Sequence, residues 1–285
     1  MRDQSNIDQF TRSFSPVSLE ELNTKAEMMA RIDNKYVVQS DDLLSLVPDL
    51  SEGFDILDIE DQRAFTYDTR YFDDVPKSAY FEHHQGRRRG FKVRVRNYVD
   101  AGLCFLEVKV KGARGMTEKY RQAYDLTQLA GLTPDATAFA KDTYCRQYDK
   151  PFAYDLRPSL DVRYLRITLV ARDGGERMTI DTDLQFRSKD RSFSSGTGVF
   201  IVETKSTNGR GLADRLLRTR GERPTKRCSK YCIGMAATRQ VIRYNRFLPT
   251  LRKLGLTVEK PQIGKWAQLR TAEQIQSFSP RGAVA

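Results

Sequence analysis

The sequence predicts an α+β fold whose body is a large antiparallel sheet backed by helices. Three observations carry this reading. Six segments alternate charged and apolar residues with a period of two, as strands with two chemically different faces do. Two of them are joined by Asp173-Gly174-Gly175, a good hairpin turn because glycine takes the positive φ such turns need. Helical segments with recognisable starts precede, interrupt and follow the strands.

In chain order, residues 1–16 read as a polar lead-in. Ser18-Leu19-Glu20-Glu21 has the capping-box pattern and opens a helix running through Arg31. Asp33 to Gln39 is a strand. A short helix follows over Leu43 to Leu46, stopped by Pro48. Strands are then expected at 54–60, 63–71, 78–83, 91–99 and 104–111. Gly86 to Gly90, with Arg87, Arg88 and Arg89 between, reads as an exposed turn. Residues 112–122 (KGARGMTEKYR) read as a mobile basic loop, and 136–149 as a helix. Three more strands follow at 162–171, 176–187 and 198–205, then a short basic helix at 210–220. A last long helix starts near Ser229 with Ile233, Ala237, Val241 and Tyr244 on one face. With no repeat and no linker in view, residues 17–258 form one domain and 259–285 a tail.

Composition narrows the function. A hydrophobic share of 39% supports a packed core and argues against general disorder. The 48 Lys+Arg against 37 Asp+Glu give a formal charge of +11 and point to an anionic partner. Charge alone does not choose among nucleic acid, phosphate compounds and acidic membrane. Cys104, Cys145, Cys228 and Cys232 form no C-x-x-C pair, and Met1 to Ser15 lacks an apolar leader segment. Reduced thiols in a cytoplasmic protein are the simplest expectation. With only His83 and His84 as histidines and no Cys knuckle, no structural zinc site is expected. No apolar run reaches the ~18 residues of a membrane span.

The alternating segments carry the chemistry. Lys92, Arg94, Arg96 and Tyr98 share one face, opposite Phe91, Val93, Val95 and Val99. Glu107, Lys109 and Lys111 oppose Leu106, Val108 and Val110. Arg177, Asp181 and Asp183 oppose Met178, Ile180, Leu184 and Phe186. Glu203 and Lys205 oppose Phe200 and Val202, Asp33 and Lys35 oppose Tyr36 and Val38, and Arg166 shares a face with Tyr164 and Thr168. One such strand is an ordinary sheet with a wet face. Six together, each with Arg or Lys, place like charges side by side, which is unfavourable unless a polyanion lies among them. Closing the sheet would put these stripes inside a barrel. Alternation alone does not say whether the charged face is inside or outside.

The order of the motifs resembles the catalytic domain of the vacuolar transporter chaperone (VTC) family, within the triphosphate tunnel metalloenzymes. The resemblance rests on Arg31-Ile-Asp-Asn-Lys-Tyr36, Thr66-Tyr-Asp-Thr-Arg-Tyr-Phe-Asp73, Tyr80-Phe-Glu-His83 with Gly86, and Lys92-Val-Arg-Val-Arg-Asn-Tyr98. It continues through Glu107-Val-Lys109, Tyr164-Leu-Arg166, Arg177-Met-Thr-Ile-Asp181, Val202-Glu203-Thr-Lys205 and Ser229-Lys230-Tyr231. It implies a closed eight-stranded antiparallel β-tunnel with a basic interior, wrapped by helices. It also implies phosphate binding by Lys35, Arg94, Arg96, Lys109, Arg166, Arg177 and Lys230. Tyr164 and Ser229 would add hydroxyl contacts, and Glu203 would be the ligand of a divalent metal, Mn²⁺ or Mg²⁺. Two departures stand out. His83 replaces a phosphate-binding Arg of the eukaryotic polymerase. The first strand offers Arg31-x-Asp33-x-Lys35, where tunnel hydrolases carry two glutamates before the lysine.

The expected substrates are therefore ATP and polyphosphate or triphosphate. Any membrane association would run through a separate membrane protein. Arg suits this work, because its donors grip phosphate oxygens bidentately. Chain growth needs no general base, since the attacking terminal phosphate is already ionised. Hydrolysis must activate water, and no base stands out. The aromatics are read as lying mostly on the apolar faces, so no specific nucleic acid is expected.

Overall fold

The computed structural model describes residues 2–25, 31–112, 116–173 and 175–256, with side chains from Ile7 onward. Its sheet has eleven strands: β1 (Ser15–Val17), β2 (Ile32–Gln39), β3 (Phe54–Leu57), β4 (Phe65–Asp73), β5 (Phe91–Tyr98), β6 (Leu103–Lys111), β7 (Thr117–Ala123), β8 (Arg157–Ala171), β9 (Arg177–Arg187), β10 (Ser192–Ser194) and β11 (Val199–Ser206). Eight of them form a continuous antiparallel path in the order β2-β11-β9-β8-β4-β5-β6-β7. This is the strand number expected of the tunnel. The ring is not closed by hydrogen bonds, because β2 and β7 end the path unpaired with each other. At the free edge of β2 the Lys35 carbonyl instead accepts from Thr225 N at 2.6 Å.

Helices cover the outer face in two patches. α1 (Arg2–Arg12), α3 (Ser40–Ser45), α4 (Val47–Gly53) and α7 (Leu212–Thr219) cover one half. There Tyr36, Val38, Ile167, Leu169, Met178, Ile180, Phe200 and Val202 bury against Phe10, Leu43, Leu50 and Leu217. α6 (Pro134–Tyr148) covers the other half, packing Ala136, Ala140 and Tyr144 on Val93, Val95, Leu106 and Val108. Each buried Val, Leu, Ile, Met or Phe side chain among these contributes about 1.5–3 kcal/mol. α2 (Leu19–Lys25) is opened by the expected capping box: Glu21 N–H donates to Ser18 Oγ, and Ser18 N–H to Glu21 Oε2 at 3.1 Å. Residues 26–30, where that helix was expected to continue, lie outside the described residues, as does the expected tail.

Five expectations need correction. Residues 1–16 are not only a polar lead-in, since they carry α1 and β1 and bury Ile7, Phe10 and Phe14. Pro48 starts α4 rather than ending structure, because its fixed φ suits a first helical turn. The expected strand at 78–83 is α5 (Ser78–Gln85). Its aromatics suggested a strand, but the Asp73 and Asp74 carboxylates accept from the N–H groups of Ser78, Ala79 and Tyr80 and cap a helix. The basic loop over 112–122 contains β7, although residues 113–115 lie outside the described set. That strand is polar on both faces, so it carries no apolar period to read. The last long helix is short: α8 (Lys230–Ala237) begins at the Ser229 N-cap as expected but ends before Arg239, which has φ 56°. The chain then turns into α9 (Leu248–Lys253), returning Val241, Phe247 and Leu251 to the same core.

α8 fixes the architecture of the interior. Tyr231, Ile233 and Met235 pack on Val37, Tyr71, Leu160, Val162, Leu184, Phe186, Val199 and Ile201. Most of these apolar residues share a strand face with the charged stripes. The helix therefore fills one end of the space that the sheet curves around. A Cβ on Gly234 would lie 2.5 Å from Leu160 Cδ2 and 2.6 Å from Phe186 Cδ1, so only glycine lets the helix sit this deep. Leu184 and Phe186 were expected on the face of Met178 and Ile180. A register shift between Arg163 and Leu165, with Asp183 at φ 52° on β9, turns them inward.

Candidate functional site

Beyond α8 the inner face is ionic. Glu107 on β6 is fully buried and accepts from Arg94 Nε at 2.7 Å, with Lys119 Nζ at 3.5 Å and Arg96 at 3.9 Å. Arg94 also donates to Tyr71 Oη at 3.1 Å. Asp181 on β9, likewise fully buried, takes a bidentate grip from Arg166 at 2.6 and 2.8 Å and also pairs with Lys230 at the start of α8. Glu203 on β11 sits between Lys35 at 2.9 Å and Lys205 at 3.1 Å. Lys92 Nζ donates to Ser229 Oγ at 3.1 Å, tying β5 to α8, the plug that fills one end of the interior. Lys109 and Arg177 have no carboxylate within ion-pair distance among the described residues.

Burial and mutual repulsion set the protonation of these groups. Burial pushes the Glu107 carboxyl up, but Arg94, Arg96 and Lys119 outweigh it and hold the group well below the usual carboxylate range. Asp181 is likewise buried, yet Arg166 and Lys230 bring it down to about 2. Glu203 is held far down by Lys205 and Lys35 against its own burial. Among the cations, Arg94 and then burial push Lys109 well below the normal lysine value. Burial lowers Lys205 to about 8, and Arg166 and Arg177 add to the shift against the pull of Glu203. Burial and Arg166 also depress Arg177. Glu203 on β11 and Glu107 on β6 both act on Lys109, so the two ends of the strand path face each other across one interior.

Several polar atoms turned into this interior have no hydrogen-bond partner among the described residues: Thr69 Oγ1, Arg96 Nε, Tyr164 Oη, Arg177 Nε and Thr179 Oγ1. Buried polar groups are normally paired. A concentrated, under-neutralised set of donors is what a chain of phosphate oxygens would satisfy.

Most residues expected from the sequence come together here: Lys35, Arg94, Arg96, Lys109, Tyr164, Arg166, Arg177, Glu203, Ser229 and Lys230 all border the interior. His83 differs. It was read as a strand residue but lies on α5, its ring stacked on Phe247 at 6.3 Å. Burial, with Lys92 and Lys111, brings it down to about 2, so it is neutral at physiological pH. Asp33 pairs with Arg31 at 3.3 Å in an exposed position. Three interior groups were missed. Lys119 was hidden by the misread β7. Thr69 and Thr179 carry no charge to draw the eye, although their strand parity with Tyr67 and Asp181 was a usable signal. Tyr98 and Tyr164 lie on the charged face as expected, but Tyr67 and Phe105 join them there, so fewer aromatics than expected are confined to the apolar faces.

The VTC domain profile matches residues 30–239, most of the chain and all eight strands of the path. This chain belongs to the VTC domain family. The matched VTC segment runs from the strand bearing Lys35 to the end of α8, so the charged interior and its plug lie within the family region. No curated protein matches the chain. Among solved structures, a Hippeastrum protein named as an adenylyl cyclase and found to have a dominant triphosphatase activity shares 16% identity. It covers 73% of this chain and 96% of its own, at a TM-score of 0.46. A Bacillus halodurans protein named as an adenylate cyclase shares 12% identity, with 70% and 95% coverage and a TM-score of 0.44. A Pyrococcus horikoshii protein shares 13%, with 70% and 96% coverage and a TM-score of 0.39. Among the described residues no helix is long and apolar enough to cross a membrane.

Proposed function

We propose that this VTC protein transfers the γ-phosphate of ATP to the end of a polyphosphate chain held in the basic interior. The observation that carries the reading is the buried set of cations with unpartnered donors around Arg96, Lys109 and Arg177. Such a set is costly to build into a fold unless a polyanion neutralises it. The terminal phosphate oxygen attacks the γ-phosphorus, the bond from the β–γ bridging oxygen to the γ-phosphorus breaks, and ADP leaves. No proton has to be removed from the nucleophile. The chain's own work is positioning and charge stabilisation. Arg166, Arg177 and Lys230 border the transferred group, while Lys35, Arg94, Arg96 and Lys109 hold neighbouring phosphates. Tyr164 and Ser229 orient them with hydroxyls, and His83, neutral beside Lys92 and Lys111, borders the plug end. α8 excludes water from that end.

A divalent metal fits this interior only together with phosphate. Among the described residues no three carboxylate, thiol or imidazole side chains gather around one point. Mg²⁺-type ions commonly take one or two carboxylates and complete their shell with substrate phosphates and water. Glu203 is the carboxylate available, once a phosphate takes over Lys35 or Lys205. When bound there, Mn²⁺ or Mg²⁺ would neutralise charge on the transferred group.

The test follows purified protein with ATP and Mn²⁺ over time, sizing the products on a gel. Long phosphate chains with ADP are expected. Orthophosphate alone would make the protein a tunnel-type triphosphatase, and no turnover would make it a binding module or an enzyme that needs a membrane partner. Glu203→Ala is expected to abolish turnover without unfolding. It should also tighten metal-free tripolyphosphate binding, because it frees Lys35 and Lys205. Weaker metal-free binding in calorimetry would argue against the placement.

A further inference from the structure

Four aromatic rings form a continuous ladder along the charged face. Tyr164 stacks on Tyr67 with centroids 5.3 Å apart and planes 17° from parallel. Tyr67 meets Tyr98 at 5.0 Å, and Tyr98 meets Phe105 edge-on at 6.0 Å. Exposure rises along this line. Tyr164 is 2% exposed, Tyr67, Tyr98 and Phe105 are partly buried, and Leu103 beside them is 52% exposed. The ladder thus runs from the ionic interior to its open mouth, away from α8.

Cations flank every rung. Lys230 Nζ lies 4.7 Å from the Tyr164 centroid, and the Arg166 guanidinium lies 4.9 Å from Tyr67. Arg96 lies 5.4 Å from Tyr67 and 6.0 Å from Tyr98, and Arg121 covers Phe105 at 4.9 Å. The same guanidiniums that would grip phosphates therefore touch the rings. Bare phosphate chains offer nothing for a ring to stack on. A wall of aromatic faces and Arg planes is what binds a nucleobase, and it does so with little regard to base identity.

We infer that the mouth of the interior is a nucleobase subsite, with Tyr98 stacking the base of a nucleoside triphosphate, Phe105, perpendicular to it, meeting the edge of that base, and the phosphates pointing inward toward Tyr164 and Lys230. The inference rests on the phosphate-binding reading of the interior but is separable from it. Tyr98 and Phe105 would act on nucleotides and be indifferent to inorganic tripolyphosphate.

The experiment compares ATP with tripolyphosphate by calorimetry on the full chain, and follows the fluorescence of 1,N6-ethenoadenosine triphosphate. Tyr98→Leu and Phe105→Leu should each weaken ATP about tenfold while leaving tripolyphosphate within about twofold. Tyr98→Trp should restore ATP binding. Equal losses for both ligands, or no loss for either, would overturn the subsite. If the Leu variants do not fold by circular dichroism, the wild type still decides: ethenoadenine fluorescence must change on binding, and a base unaffected by saturating protein overturns the inference. A wild type that binds ATP through Tyr98 but not tripolyphosphate would instead sink the polyphosphate reading and keep the subsite.

Discussion

The two halves of the interior are made from the same faces of the same strands, yet they do opposite things. On β8, Arg166 and Tyr164 lie in the ionic half, and Val162 and Leu160, on the same face, lie under α8. On β11 the change runs from Lys205 and Glu203 to Ile201 and Val199, and on β2 from Lys35 to Val37. Position along the strand, rather than face, separates ligand-directed chemistry from packing. The apolar half holds the structure together and aims Ser229 and Lys230. The ionic half carries groups that would be more stable elsewhere.

That contrast can be broken most forcefully at Arg94. Replacing it with Ala leaves Glu107 buried beside Arg96 and Lys119 only, so a loss of about 3–5 kcal/mol is expected in urea unfolding. A variant as stable as the wild type would mean the ionic half contributes nothing to the fold. Ile233→Ala in the plug should cost about 2–5 kcal/mol by cavity formation while leaving tripolyphosphate affinity unchanged. Loss of affinity in proportion to stability would erase the division between the halves.

Lys109→Ala should separate the two properties in the other direction. Among the described residues its amine has no carboxylate within ion-pair distance, and Arg94 and Arg96 oppose its charge more than the more distant Glu203 and Glu107 support it. Thermal unfolding should therefore move upward while tripolyphosphate affinity falls about tenfold, as expected when a charge-assisted contact is lost. A smaller effect concerns protons. Lys205, at about 8 in the free protein, is partly deprotonated near that pH, and a bound polyanion raises it again. Binding at pH 8 should take up a fraction of a proton, and affinity should weaken as pH rises through 8. Calorimetry in two buffers of different ionisation enthalpy reads this, and proton release would reverse the assignment.

Most of the ionic half was legible before the fold was known, because charged residues at a spacing of two are a local signal. Lys35, Arg94, Arg96, Arg166 and Glu203 needed only strand parity and motif order. The plug was not legible. Tyr231, Ile233 and Met235 read as an ordinary helix, and nothing local says that Val37, Leu160 and Phe186 await them on the charged side. The bulge at Asp183, which sends Leu184 and Phe186 inward, breaks the parity on which the reading depended. α5 was missed because its caps come from Asp73 and Asp74, which lie upstream of the helix beyond the usual N-cap position. The aromatic ladder was half visible, as Tyr98 and Tyr164 were placed on charged faces, but ring contacts between β4, β5, β6 and β8 appear only when the strands are side by side.

The segment ahead of the family region bears on how the chain can be shortened. Phe10 and Phe14 pack on one another at 5.1 Å and join the layer of Leu43, Leu46 and Leu50. Arg63 donates to the carbonyls of Thr11 and Phe14 at 2.9 and 3.2 Å. β1 supplies the only parallel pairing described, to β3. A polypeptide trimmed to start at residue 30 would keep every phosphate-directed side chain and still lose the lid of that greasy layer. It would emerge sticky, poorly soluble and prone to clump, and a lack of activity in it would report on its surface rather than on its chemistry.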